Sequence, residues 1–187
     1  MTKPVAAGKS SFDLVDRETL FSLLGTEENT VYLDMACGAG RYSLALAERI
    51  EDAGTIYAVD LWEEGVRSLK RAATDAGLRS IKPLLADIAG PLPLETDSAD
   101  ACLMATILHD LTAGQQDAAV AEAARILKPG GSLVVVEFKK IDHGPGPRMD
   151  IRLSKDDVAR LAARHGFTHE RTDSAGEYVN LLRFGAK

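Results

Sequence analysis

The chain has 187 residues, of which 45% are hydrophobic, and its formal net charge is −6. This length and apolar content suit one compact domain with a sizeable core. An acidic chain without a basic block argues against a nucleic-acid substrate, which needs a positive surface for its phosphates. The sequence has neither the apolar core of a signal peptide nor the roughly 20 apolar residues of a membrane span, so we expect a soluble, cytoplasmic protein.

The N-terminal segment SFDLVDRETLFSLLG, residues 11–25, predicts a helix. The apolar residues expected to face inward from this helix are Leu20, Phe21, Leu23 and Leu24. We interpret residues 1–28 as a helical segment that covers the active site of the main domain, residues 29–187, within one structural domain.

The stretch VYLDMACGAG, residues 31–40, predicts a strand that ends in an acid and a turn of small residues. Helical periodicity resumes at Tyr42, so the turn lies between a strand and a helix N-terminus, where backbone N–H groups point at a ligand. Such a turn is weak evidence by itself, because similar turns also simply connect strands to helices.

A second strand, TIYAVD, ends at Asp60. This acid follows Gly40 at about the 20-residue spacing of a carboxylate that binds ribose hydroxyls. The alternative is that Asp60 caps the helix that begins near Trp62. The spacing favours ribose binding.

Two further strands end in polar residues. One ends at Asp87, and the strand near residues 101–105 leads to Thr106, His109 and Asp110. Open α/β sheets bind ligands at the carboxyl ends of their strands. These side chains are therefore expected at one common edge.

The C-terminal part predicts alternating elements. Thr112 and Gln115 form a capping-box pattern before a helix that the Lys128–Gly131 turn ends, and a strand at residues 132–138 follows. Residues 139–152 predict an irregular loop of the length typical of lids. Ser154 with Asp157 then opens a helix, and residues 167–171 and 177–184 predict an antiparallel hairpin.

The negative charge of Asp34 at the end of the first strand limits which class of ligand can bind there. A dinucleotide would place its diphosphate at the first helix N-terminus, where Asp34 would repel it. A ligand with an ammonium, a sulfonium and an adenosine fits better. S-adenosylmethionine has these parts.

The motifs DMACGAG, AVD, LLADI, DSADACLMATILHDL and AARILKPGGSLVVVEF, in this order, closely resemble the class I S-adenosylmethionine-dependent methyltransferases. Within that superfamily, the chain most resembles the small ubiquinone and menaquinone C-methyltransferases, through RILKPGG and the later helix RLSKDDVARLAARHGF. The resemblance implies one Rossmann-like, doubly wound α/β sheet of seven strands in the order 3-2-1-4-5-7-6, mostly parallel with a C-terminal antiparallel hairpin strand.

The resemblance also implies roles for individual residues. The methionine part would meet Asp34 and the turn residues Ala36, Cys37, Gly38 and Gly40. Asp60, followed by Leu61, would bind the ribose, Asp87 with Ile88 the adenine, and Ala105 with Thr106 would flank the sulfonium. S-adenosylhomocysteine would be the product.

Two positions depart from the family pattern. Ala36 replaces the usual first glycine, which requires that this residue have a negative φ. Trp62 replaces a small polar residue and cannot cap the following helix through a side-chain oxygen. Its ring either covers the adenosine or simply packs, and the sequence does not decide between these two.

A general base is needed only where the acceptor keeps its proton. His109 with Asp110 is the best-placed pair, although both residues also fit a purely structural loop role, which we favour slightly. His143 lies in the loop, and His165 and His169 fall on different elements. No histidine has metal-ligand spacing, so we expect no metal. Arg148 and Arg152 are expected in a solvated surface, with pairing to an acidic acceptor as the alternative.

The acceptor pocket is expected to come from the N-terminal segment, the loop after Thr106 and residues 139–152, which predicts a small-molecule acceptor. Cys37 and Cys102 are expected to be buried and reduced. A homodimer remains an open alternative. Two other functions remain: a catalytically silent S-adenosylmethionine-binding protein, and a nicotinamide-dependent oxidoreductase, which Asp34 and the terminal hairpin disfavour.

Overall fold

The computed structural model describes residues 7–187. Its seven strands are β1 (Val31–Met35), β2 (Thr55–Asp60), β3 (Ile81–Leu85), β4 (Ala99–Ala105), β5 (Leu127–Phe138), β6 (Thr168–Ser174) and β7 (Val179–Gly185). Its α-helices are α1 (Arg17–Leu24), α2 (Arg41–Arg49), α3 (Glu63–Asp75), α4 (Ala113–Ile126) and α5 (Lys155–Arg164). Short 3₁₀ turns lie at Phe12–Leu14 and Leu108–Asp110.

The strands form one sheet in the order β3-β2-β1-β4-β5-β7-β6. Strands β1 to β5 pair in parallel, and β7 runs antiparallel to both β5 and β6. The predicted fold and strand order are confirmed. The chain order reverses between β1 and β4, and a crevice opens at such a point beyond the strand ends.

Apolar residues cover both faces of the sheet. Helices α1, α2 and α3 pack on one face, and α4 and α5 pack on the other. The four residues predicted to face inward from α1 are all buried. This helix contacts β4 and β5, so it is part of the main core. The predicted boundary after residue 28 stays a prediction.

Local signals place most helix starts correctly. The capping boxes of Thr112 with Gln115 and of Ser154 with Asp157 are both present. One boundary prediction was wrong: α4 already ends at Ile126, and Lys128–Gly131 form a bulge in β5. Strand pairing resumes where Ser132 lies opposite Ala101. The tertiary pairing with β4 therefore decides where this strand begins.

Candidate functional site

A cavity of about 150 Å³ that opens to solvent lies at the carboxyl ends of β1, β2 and β4. It is lined by residues 7–11, the turn at residues 36–39, the start of α2, residues 60–62, Ile88, residues 105–107 and Leu111. A concave, mostly apolar site with a few polar groups is typical of small-molecule binding. The cavity lies where the sequence predicts ligand binding.

The turn after β1 has an unusual backbone. Ala36 has a φ of +64°, and Gly38 and Gly40 have φ values of +58° and +78°. The expectation of a negative φ at Ala36 was wrong, because the chain must reverse sharply between β1 and α2. A Cβ at Gly40 would overlap the Leu69 side chain, so this glycine allows α2 and α3 to pack closely. Gly40 lies against α3 and does not line the cavity.

Asp60 lies at the end of β2 and lines the cavity. Its Oδ2 accepts a hydrogen bond from the Gly38 N–H at 2.7 Å, and its Oδ1 accepts one from the Trp62 N–H at 2.7 Å. The carboxylate thus joins the glycine turn to the start of α3. Because each carboxylate oxygen accepts more than one hydrogen bond, both oxygens retain capacity for ligand hydroxyls. The helix-capping alternative was wrong, because α3 begins after its N-cap residue Trp62 and has no side-chain cap hydrogen bond. Ribose binding by Asp60 stays a prediction.

Trp62 forms one wall of the cavity. A Cβ at Gly65 would overlap its ring, and a Cβ at Gly8 would lie 3.7 Å from its Cη2. The indole therefore packs between α3 and the N-terminal segment while still lining the cavity. This position provides a flat apolar surface beside Asp60.

Asp34, expected to face the methionine part, is 3% exposed and does not line the cavity. Its Oδ2 accepts a hydrogen bond from the Ser43 Oγ at 2.6 Å. Burial raises the pKa of Asp34 to about 6, with a smaller contribution from the charge of Asp60, and the Ser43 hydrogen bond opposes this rise. The acid that faces the cavity is Asp60, not Asp34.

The other predicted cofactor residues divide into two groups. Cys37, Leu61, Ile88, Ala105 and Thr106 line the cavity, as do Ala36 and Gly38. Asp87 is exposed and outside the lining, where its Oδ1 accepts a hydrogen bond from the Ala89 N–H at 2.9 Å. Cys37 and Cys102 are free and buried, as predicted.

The segment after β4 is joined to the N-terminal segment by hydroxyl groups. Ser11 Oγ lies 3.0 Å from Thr106 Oγ1 and 2.8 Å from the Tyr42 hydroxyl. Thr106 has a φ of +51°, which turns the chain across the cavity. Sequence reasoning missed Ser11 and Tyr42, since a single serine or tyrosine carries no local signal for such a contact.

His109 does not line the cavity, although its neighbours Ile107 and Leu111 do. Its Nδ1 lies 2.6 Å from Glu137 Oε1, and its Nε2 lies 3.7 Å from Asp110 Oδ2. Burial alone would lower the pKa of His109, but Glu137 and then Asp110 outweigh it, so the pKa is raised. Sequence reasoning assigned Asp110 as the partner and missed Glu137, which reads simply as the end of a buried strand.

Residues 139–152 lie outside the lining of the cavity. The expectation of a solvated Arg152 was wrong, since it is 6% exposed. Its guanidinium donates to the carbonyl oxygens of four loop residues, Lys139, Ile141, Pro145 and Pro147. Arg148 is exposed and pairs with Asp150. One buried cation thus organises a loop that contains no regular element.

The remaining histidines lie on separate elements and contact different residues. His143 is exposed beside Asp142, His165 ends α5 and contacts Asp117, and His169 lies on β6. Within residues 7–187, no cluster of His, Cys, Asp and Glu is arranged to hold a metal ion. Over the same residues, the helices are too short or too polar to cross a membrane.

Comparison with known proteins agrees with this geometry. A family model described as a methyltransferase domain matches residues 33–131. The chain is similar to the ubiquinone/menaquinone biosynthesis C-methyltransferase UbiE of Bordetella avium, with 35% identity over 118 residues, which are 63% of this chain. The match covers 44% of that relative, so the chain spans less than half its length.

The fold is also found in solved structures. A SAM-dependent methyltransferase from Aquifex aeolicus superposes with a TM-score of 0.86 and 25% identity, over 96% of this chain and 94% of that one. The [4+2]-cyclase SpnF superposes with a TM-score of 0.78 and 19% identity, over 91% of this chain and 80% of that one. The second likeness concerns the fold alone. Together, the matched domain and the sheet order show that the chain belongs to the methyltransferase domain family, with the class I fold.

Proposed function

We propose that this protein is an S-adenosylmethionine-dependent methyltransferase that acts on a small-molecule acceptor. The observation that carries the proposal is Asp60, a cavity-lining acid joined by a hydrogen bond to the glycine turn. The cavity suits the cofactor through its acid for the ribose and its apolar wall at Trp62 and Ile88. When bound, the cofactor supplies an activated methyl group on a sulfonium.

The role of the chain is then mainly to position the acceptor. Methyl transfer is an in-line displacement, so holding the acceptor in line with the methyl carbon supplies much of the rate. Thr106, Ile107 and residues 8–11 line the same cavity, and the Ser11 and Thr106 hydroxyls lie 3.0 Å apart. We place the acceptor against these two segments.

The need for a base depends on the acceptor. The relative from Bordetella avium is named a C-methyltransferase of quinone biosynthesis. Hydroxylated aromatic compounds are therefore the first acceptors to test. His109, held by Glu137, is the group that we propose to remove a proton where the acceptor keeps one.

The small size of the cavity and the acidic net charge support a small acceptor over a nucleic acid. Two free, buried cysteines fit the reducing cytoplasm. Whether the protein forms a homodimer stays a prediction that sedimentation at several concentrations would test.

Calorimetric titration with S-adenosylhomocysteine tests the cofactor site. Asp60→Ala should weaken binding more than tenfold, because about 1.5–3 kcal/mol is lost with each hydrogen bond to a charged group. Since Asp60 also holds Gly38 and Trp62, circular dichroism must show that the variant is folded. Asp75→Asn, at the exposed end of α3, is the matched control and should bind normally. Unchanged affinity in folded Asp60→Ala would remove Asp60 from the site.

The predicted adenine contact of Asp87 needs its own variant. Asp87→Asn should lower affinity if the exposed carboxylate turns toward bound adenine. An affinity equal to that of wild type would restrict the adenine contacts to Ile88 and its apolar neighbours.

Turnover separates an enzyme from a silent binding protein. The protein is incubated with cofactor labelled in the methyl group and a metabolite extract or a panel of hydroxylated aromatics. A labelled product identifies the acceptor. Tight binding without any labelled product would favour the silent protein, and tight binding of NAD instead would favour an oxidoreductase.

A further inference from the structure

Glu137, at the carboxyl end of β5, is a buried acid outside the lining of the cavity. Its side chain is 2% exposed. Its Oε1 accepts hydrogen bonds from His109 and from the Phe138 N–H at 3.1 Å, whereas its Oε2 is buried without a hydrogen-bond partner within the described chain. Burying a carboxylate is unfavourable unless it is paired and hydrogen-bonded. At this buried strand position an apolar side chain would stabilise the fold more than a carboxylate does. Glu137 is therefore a candidate for a functional role.

The position of the pair connects it to the cavity. Ala105 lies opposite Val136 in the sheet, and the Thr106 N–H donates to the Val136 carbonyl at 2.8 Å. Glu137 therefore lies on β5, the strand next to β4, about 4.8 Å from the chain that leads into the cavity-lining segment. His109 is on that segment itself, between Ile107 and Leu111. The pair borders the cavity on the side away from Asp60.

The loop at residues 139–152 holds the imidazole in place through Phe138. The ring of Phe138 meets the His109 ring edge-on, with centroids 5.7 Å apart. A Cβ at Gly146 would lie 2.7 Å from Phe138 Cδ1, so the loop backbone also lies directly against this ring. Because Arg152 fixes this loop, the imidazole has a rigid support.

We propose that Glu137 is the positioning residue of His109: it keeps a proton on Nδ1 and leaves Nε2 to accept the proton of the methyl acceptor. This inference rests on the proposed function. The acceptor's proton moves to Nε2, its freed electron pair forms the bond to the methyl carbon, and the carbon–sulfur bond breaks with its electrons remaining on sulfur. The imidazolium so formed is balanced by Glu137. Asp110 Oδ2, 3.7 Å from Nε2, lies beyond hydrogen-bond length and does not occupy that atom. The His109 side chain is 6% exposed, so the acceptor must approach Nε2 from the cavity wall formed by the neighbouring Ile107 and Leu111.

The charges around His109 determine how the pair responds to pH. Glu137 on β5 and Asp110 on the 3₁₀ turn favour its protonated form, whereas burial and Arg152 oppose it, and the pKa is raised overall. The neutral form, which acts as the base, therefore becomes dominant at a higher pH than in an ordinary histidine. Removing the charge of Glu137 should move the acid limb of the rate profile to lower pH.

Nuclear magnetic resonance of the imidazole nitrogens in the full-length protein, with S-adenosylhomocysteine present, tests the pair without an acceptor. Wild type should show His109 with its proton on Nδ1 when neutral. Glu137→Gln should lower the proton affinity of His109 at least tenfold, and Asp110→Asn should lower it less. Exposed Glu28→Gln is the matched control and should leave the titration unchanged. A wild-type imidazole with its proton on Nε2, or an equal titration in Glu137→Gln, would overturn the proposal.

The reaction itself provides the second readout, with the acceptor recovered from the labelled extract. In Glu137→Gln, kcat/KM should fall about a hundredfold at its plateau, the scale of general base catalysis, and its acid limb should move to lower pH. A lower plateau with an unmoved limb would show a merely structural role and overturn the inference. If Glu137→Gln does not fold, the wild-type tautomer decides by itself. Failure to bind S-adenosylhomocysteine would refute the proposed function, while the titration of His109 would still test the pair.

Discussion

Replacing Asp34 by asparagine should change the pH dependence of stability. The pKa of this buried carboxyl is raised from 3.8 to about 6, mainly by burial. Protonated Asp34 therefore favours the folded state, and this contribution is complete below about pH 4 and is lost as the pH rises through about 6. At about 1.36 kcal/mol per pKa unit, about 3 kcal/mol of stability is lost over this range.

The amide side chain introduced by Asp34→Asn would stay neutral at every pH and could still accept the hydrogen bond from Ser43. The free energy of unfolding of Asp34→Asn minus that of wild type should therefore increase by about 3 kcal/mol between pH 4 and pH 7. Any fixed cost of the amide group is the same at both pH values and cancels in this comparison.

Urea unfolding followed by circular dichroism at several pH values measures this difference. Asp75→Asn is the matched control, since its carboxylate is exposed on α3, and its difference from wild type should stay flat. A flat difference for Asp34→Asn as well would refute the reasoning, because it would mean that burial does not penalise the charge of Asp34.

Three further changes have defined outcomes. Ala36→Gly should stabilise the fold by about 1 kcal/mol in urea unfolding, because glycine adopts the observed φ of +64° without strain. Gly40→Ala should destabilise it by about 2 kcal/mol or more, because the added Cβ overlaps Leu69; a neutral effect would mean that α3 moves away freely. Arg152→Ala should increase hydrogen exchange across residues 139–152 and lower the free energy of unfolding by about 2 kcal/mol, because four hydrogen bonds to the loop are lost. Arg148→Ala, at an exposed position, is the control and should change neither quantity. Equal exchange in both variants would contradict the organising role of Arg152.

Elements with local causes could be predicted. A capping box joins residues three positions apart, so Thr112 and Ser154 identify helix starts without the rest of the fold. The apolar strands and the turn at residues 36–40 likewise carry their own periodicity and composition. The strand order came from the family resemblance, and the observed sheet confirms it.

Residue roles were harder to predict than elements. Asp34 and Asp60 both end strands, yet only Asp60 lines the cavity, because α2 covers Asp34 through Ser43. Arg152 looks like a surface cation but is buried and donates to carbonyl oxygens of its own loop. The negative φ expected for Ala36 failed because the turn geometry depends on how α2 packs.

By itself, the sequence determined the alternation of strands and helices, two helix caps and the edge of the sheet at which the cavity lies. Only the tertiary structure decided which polar groups meet there. Ser11 contacts Thr106 across 95 positions of the chain, and Glu137 contacts His109 across 28. The physical reason is that such contacts depend on which strands are neighbours and which side chains packing excludes from water, and neither property is local in the chain.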